Sequence, residues 1–256
     1  MSSTRHLFLA LAVAATAACD ATTAPGGTRV GLSFAGARPA GAAAGFRLAQ
    51  ASLEGDSLVI IDGTDTLVIT NAEVVAREIE LRRVGVSCDT TGSDDDCEYF
   101  SLDARLVDVP LAPGTSQAIT VEVPAGTYSS VRMKVHKVSD DAGDAAFLAA
   151  NPTWPARQSL RVTGRFNGTP FTFLSDVNFR AEAPLTPNLV VDAATTTDLT
   201  VRIDLASWFR VGGTGALIDP ATAGKGGANQ NEVESNIKNS VRAFEDKDRD
   251  GDEHDG

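Results

Sequence analysis

Leu160-Arg161-Val162-Thr163-Gly164-Arg165-Phe166, then Asn167-Gly168, then Phe171-Thr172-Phe173, alternates apolar and polar side chains about a two-residue turn signal. A period of two puts successive side chains on opposite faces of an extended chain. Asn-Gly accepts the positive φ angles that a tight hairpin demands. The stretch therefore reads as two antiparallel strands, and similar patterns recur on both sides of it.

Upstream, Leu58-Val59-Ile60-Ile61 and Thr66-Leu67-Val68-Ile69 flank Asp62-Gly63-Thr64-Asp65, a second hairpin signal. Val30, Leu32 and Phe34 alternate with Arg29, Gly31 and Ser33, followed by an Ala/Gly-rich loop or insert from Ala35 to Gly45. Glu73 to Val84 reads as a strand with Val75, Ile79 and Leu81 on one side and Glu78, Glu80 and Arg82 on the other. Tyr99 to Val109 and Ala118 to Val123 follow as strands, then Val131, Met133 and Val135 alternate with Arg132, Lys134 and His136. Asp198 to Leu205 alternates again.

Two stretches read as helical. Ala145 to Ala150 ends at Asn151-Pro152, since a residue before proline avoids the helical region. Val233, Ile237, Val241 and Phe244 recur at helical spacing, and Asn231 with Glu234 resembles a capping box. The expectation is a mainly all-β chain, an antiparallel sandwich of prealbumin or immunoglobulin type, with a short internal helix and a C-terminal amphipathic helix. The sandwich is assigned to 28–228, the C-terminal helix to 229–244, and a solvated acidic tail to 245–256.

The N-terminus carries an address. Arg5, the apolar run Leu7 to Ala15, and the small residues Thr16-Ala17-Ala18 before Cys19 have the layout of a secretory signal. Ending at a cysteine, the segment resembles the lipobox of bacterial lipoproteins. That resemblance implies cleavage of 1–18, palmitate-type acylation of Cys19, and a flexible tether over 19–27. An ordinary cleaved signal with an incidental cysteine is the competing reading. Cys88 and Cys97 are then an even pair in an exported chain, which reads as a disulfide. The rival, a thiolate metal site, lacks nearby ligands and the Cys-x-x-Cys spacing.

Three further stretches carry a family resemblance: Asp65 to Ile69 running into Val75 to Leu81, Leu106-Val107-Asp108-Val109-Pro110, and Val123-Pro124-Ala125-Gly126-Thr127-Tyr128 before a strand. In this order they resemble an uncharacterised family of secreted bacterial lipoproteins, known as a domain of unknown function. The last piece is also similar to prealbumin-like and collagen-adhesin sandwiches, where it marks the turn into a strand with the tyrosine ring at the core edge. The resemblance spans about residues 60–205 and implies a sandwich at the cell envelope, with no active site to carry over.

The 256 residues carry a net charge of −12, and basic residues are nowhere clustered, which argues against nucleic acid. His136 is the single histidine between the signal and the tail. It would have to serve any Ser–His–Asp triad, and its parity with Arg132 and Lys134 makes it a surface residue instead. A carboxylate-dependent hydrolase of glycans or peptides is the alternative function, with Trp154 as an exposed sugar platform and Trp208-Phe209 as core. Asp246-Lys247-Asp248-Arg249-Asp250-Gly251 matches the first six positions of an EF-hand loop, with position twelve falling one beyond Gly256. Weak Ca²⁺ binding at Asp246, Asp248 and Asp250 is expected at most, with no other cofactor; Asp94-Asp95-Asp96 and Asp140, Asp141 and Asp144 are acidic loops of the same kind. The functional expectation is a non-enzymatic, lipid-anchored envelope protein at the outer membrane or periplasmic face. Its partners are the membrane, through the lipid, and an unidentified protein or glycan.

Overall fold

A computed structural model of the protein describes residues 28–36, 50–54, 57–85, 98–101, 103–112, 114–192, 196–247 and 251. The chain forms β1 (Thr28–Gly36), β2 (Gln50–Glu54), β3 (Ser57–Asp62), β4 (Asp65–Arg83), β5 (Glu98–Ser101), β6 (Arg105–Asp108), β7 (Thr115–Val123) and β8 (Gly126–Val135). Then follow α1 (Ala145–Ala150), β9 (Leu160–Phe166), β10 (Thr169–Ser175), β11 (Phe179–Val191), β12 (Thr197–Ile203), α2 (Gln230–Asn239) and β13 (Val241–Glu245). The fold is a mostly antiparallel β-sandwich. Four strands in the order β13-β12-β1-β7 form one sheet, and nine strands built around β4 form the other.

β4 is the spine of the larger sheet. Along one edge it pairs first with β9 and then with β8; along the other it pairs with β3, β6 and β5 in turn. Beyond β8 lies β11, and beyond β9 lies β10. The expected strands at 66–69 and 73–84 are thus one element, and the expected strand Tyr99 to Val109 is two short ones, both laid against β4. Between Arg77 and Glu80 the register against β8 slips, with Glu78 at φ +49°. This bulge reverses the parity of the strand. Ile79 and Leu81 enter the main core, whereas Val75, expected on the same side, packs on the opposite face.

The two sheets enclose one core. Val30, Leu32 and Phe34 of β1 and Leu199, Val201 and Ile203 of β12 meet Leu67, Ile69 and Val74 of β4, with Val131, Met133 and Val135 of β8. Both expected hairpins form. Asn167 and Gly168 take φ +49° and +80°, and Gly63 takes +61° between β3 and β4. Tyr128 is fully buried and its hydroxyl donates to Pro124 O at 2.7 Å, tying the turn to the strand it opens. That is the geometry of a tyrosine corner.

Four expectations are corrected. First, β1 pairs with β12 in parallel, Val30 opposite Thr197 through Gly36 opposite Ile203, so the sandwich is not purely antiparallel. Second, the C-terminal helix ends at Asn239, and Val241 and Phe244 belong to β13 on the edge of the smaller sheet. Pairing with β12 outweighs the coincidental helical spacing, and the body therefore extends through residue 245. Third, the helix opens one residue before Asn231: Asn229 occupies the cap without a side-chain bond to the helix N–H groups, and Gln230 joins Gly226 N–H to Glu234. Fourth, the tail is not all solvated, because Asp246 and Gly251 are buried. α1 spans the expected residues. Among the described residues no helix is long and apolar enough to cross a membrane.

Candidate functional site

His136 follows directly on β8. Its parity with Arg132 and Lys134 makes a surface residue, yet only 7% of it is exposed. The connection from Lys137 to Ser159, which carries α1, folds back over that face of the sheet. Val138, Phe147 and Trp154 from the connection pack on Val75 of β4 as a small second core. Burial there comes from a segment distant in register, which strand periodicity does not report.

Under this cover a polar cluster forms around Asp144, which is 1% exposed. His136 Nε2 lies 2.8 and 3.0 Å from its two carboxylate oxygens. Ser139 donates its backbone N–H to Oδ2 at 2.8 Å, and its hydroxyl oxygen is 2.9 Å from the same atom. Arg77 Nη1 approaches Oδ1 at 3.4 Å. Contact with a carboxylate assigns a proton to Nε2. His136 Nδ1 is enclosed without a hydrogen-bond partner. Burial by itself would raise the Asp144 pKa; the hydrogen bonds from the Ser139 N–H, His136 and the Ser139 hydroxyl, with the nearby imidazole, outweigh it and hold the carboxyl below its ordinary 3.8.

That arrangement is a clasp rather than a triad. Ser139 Oγ sits 2.9 Å from both Asp144 Oδ2 and Asp141 Oδ2, so the hydroxyl faces carboxylates and not the imidazole base that a nucleophile requires. Asp144, expected in a solvated acidic loop, faces inward. Of this cluster the sequence reading singled out His136, and Asp144 for a different role; Arg77 and Ser139 were missed. The signal available was the apolar set Val138, Phe147 and Trp154 in the connection, sufficient to require a covered face.

Trp154 is no exposed platform. It is 6% exposed, stands edge-on to Phe147 with ring centroids 6.0 Å apart, and donates from Nε1 to Gln158 O at 3.2 Å. Arg161 covers the ring at 5.1 Å while its guanidinium pairs with Glu73. Trp208 and Phe209 are core as expected, with Trp208 Nε1 donating to Ser240 Oγ at 2.9 Å.

The uncovered part of the larger sheet bears cross-strand ion pairs. Glu78 meets Lys134 and Arg180, Glu80 meets Arg132, and Glu182 meets Arg82 and Arg132. Burial opposes ionisation of Glu78, and the Lys134 hydrogen bond with the charges of Lys134, Arg180 and Arg77 prevails, lowering its pKa. Pairs of this kind fix register between β4, β8 and β11 and contribute little net stability where exposed.

A surface cleft of about 280 Å³ lies beside the β9–β10 hairpin, lined by Phe166, Asn167, Thr169, Pro170, Phe171, Asp219 and Ala221. The one carboxylate among its described lining residues, Asp219, accepts from Ala221 N–H at 2.9 Å. Glycoside hydrolysis by the common route needs two carboxyl groups facing across such a cleft. Among the described residues no group of three or more His, Cys, Asp or Glu is placed to hold a metal ion. Cys19, Cys88, Cys97, Asp94 to Asp96, Asp248 and Asp250 lie outside the described residues. Asp246 lies within them.

No protein-family model and no curated protein sequence matches the chain. Among solved structures, MbnP from Methylosinus trichosporium aligns over 71% of this chain and 76% of its own, with TM-score 0.33 and 14% identity.

Proposed function

We propose that the chain is a non-enzymatic, lipid-anchored protein of the bacterial cell envelope, at the outer membrane or periplasmic face. Its sandwich then serves for binding a protein or glycan, or for surface structure, and the chain joins the secreted lipoproteins of unknown function that its motifs resemble. The observation that carries this reading is the N-terminal sequence: Arg5, an apolar run, small residues and Cys19. In support, β1 begins at Thr28, nine residues after Cys19, so at most about 30 Å of chain would separate the lipid from the sheet. The buried carboxylates of Glu73, Glu80, Asp144 and Asp246 are each held by a cation or by hydrogen-bond donors, away from the cleft.

Made in a lipoprotein-processing host, the protein should lose residues 1–18 and carry a diacyl or triacyl group on Cys19 by mass spectrometry. Cys19→Ser should move it from the membrane to the soluble fraction. Soluble wild type with an unmodified Cys19 would end the proposal. In the same exported material Cys88 and Cys97 should resist alkylation until reduced. Closing so short a loop contributes about 2–3 kcal/mol in the chain-entropy account. Two freely alkylated thiols would contradict the pairing.

A further inference from the structure

Four large apolar side chains stand exposed among the described residues: Ile61, Val84, Val190 and Val211. They divide between the two ends of β4, which is 19 residues long. Ile61 pairs with Thr66 at its beginning, and Val211 belongs to the same end, since the preceding Arg210 reaches Asp62. Val84 follows directly on its last residue.

At that second end two valines flank one threonine. The Val84 N–H donates to Thr127 O at 2.9 Å, and Val190 of β11 pairs with Thr127 from the other side. Tyr128, Leu189 and Val191 enter the core, so strand alternation turns Thr127 and Val190 outward. Val84 is 49% exposed and Val190 64%. Neighbouring strands lie about 4.8 Å apart, which makes the row about 10 Å wide. Pro124 and Ala125, exposed in the turn before β8, extend it without adding a charge.

This is also the end at which the chain arrives from Cys19. Thr28 opens β1 opposite Val123, the residue before the Pro124–Ala125 turn. The connection from Cys19 keeps Thr28 within about 30 Å of any lipid on that cysteine, and packed sheets are only about 10 Å apart. The row therefore lies on the lipid side of the domain, with Ile61 and Val211 at the far end of β4. Charges around it balance: Arg83 donates to Ala125 O, Arg29 lies opposite Glu122, and Asp192 follows β11. In a chain of net charge −12, this end is one that an anionic surface does not repel.

We propose that Val84, Thr127 and Val190, with the Pro124–Ala125 turn, are the surface by which the domain rests on the lipid bilayer. The proposal rests on acylation of Cys19. So small an apolar row would not hold a free protein on a membrane. A short tether raises the effective concentration to about the millimolar range, at which a weak contact is sufficient. The anchor brings the bilayer to this end of the sandwich, which selects it as the occupant over a protein partner.

The test places a tryptophan reporter at each end of β4. Val84→Trp and Val190→Trp probe the row, and Val211→Trp is a comparably exposed control; the native Trp154 and Trp208 are buried and give a constant background. Each full chain is made in a lipoprotein-processing host, checked for acylation by mass spectrometry, and reconstituted in phosphatidylethanolamine–phosphatidylglycerol vesicles with and without brominated lipid. Both row reporters should shift to the blue and lose about half their emission to bromine, as groups about 5–10 Å into the headgroup–acyl boundary do. Val211→Trp should lose none. Acylated protein with unquenched row reporters, or with Val211→Trp quenched as strongly, would overturn the contact and leave the anchor standing. An unmodified Cys19 would end the anchor and the contact together. In solution the Cys19→Ser chain should sediment as a monomer; a dimer that Val84→Asp/Val190→Asp dissociates would give the row to a second copy and overturn the proposal.

Discussion

Asp144→Ala should cost about 3–5 kcal/mol of stability at neutral pH, as removal of one partner from a buried charged cluster does. The cost comes from what is left behind. The Ser139 N–H and the His136 Nε2–H, both donated to Asp144, would face a void under the Phe147–Trp154 cover. Asp144→Asn keeps the volume and removes the charge, so it should cost less. The pH dependence carries the sharper signature. The Asp144 carboxyl is held below its ordinary 3.8, so its contribution is complete above that value and is lost as pH falls through the lower folded-state value. Urea unfolding at a series of pH values should show wild type and Asp144→Ala separated by a constant gap above about pH 4 and converging as the pH falls below it. Parallel curves across that range would mean that the clasp carries no charge-dependent stability.

Gly164→Ala should be as damaging as truncating a large core residue, although it adds a single methyl group. Gly164 lies in β9 opposite Ile69 of β4. A Cβ there would stand 1.9 Å from Val68 O, 3.0 Å from Val68 C and 3.1 Å from Ile69 Cα. Backbone cannot swing aside as a side-chain tip can, so the strand must separate from β4 or slip. The expected cost is at or above the upper end of the usual overpacking penalty, about 3 kcal/mol. Gly168, four residues on in the same hairpin, supplies the control. It takes φ +80° with open space around it, so Gly168→Ala should cost only about 1 kcal/mol, as backbone strain. Denaturant midpoints at unchanged m would measure both. Equal effects of the two substitutions would remove the steric argument.

Legibility in the sequence followed the range of the interaction. Asn167-Gly168 and Gly63 produced their hairpins because turn geometry is set by the residues in the turn. α1 fell where Asn151-Pro152 ends it, again a local effect. The reading failed where two local patterns competed or a distant one intervened. Val241 and Phe244 have helical spacing with Val233 and Ile237, and they form β13 because the open edge of β12 offers them a ladder. Val75 shares spacing with Ile79 and Leu81, and the bulge at Glu78 sends it to the other face.

The candidate sites divide in the same way. The lipobox-like segment, the Asp-x-Asp-x-Asp-Gly loop and the strand alternation are properties of neighbouring residues, and the sequence by itself determined them. Only the tertiary structure decided that His136, Asp144 and Trp154 are buried and that Asp246 ends with one bare oxygen inside the fold. Strand periodicity states which side chains share a face. Whether that face meets water depends on what another part of the chain, such as the α1 connection, lays across it.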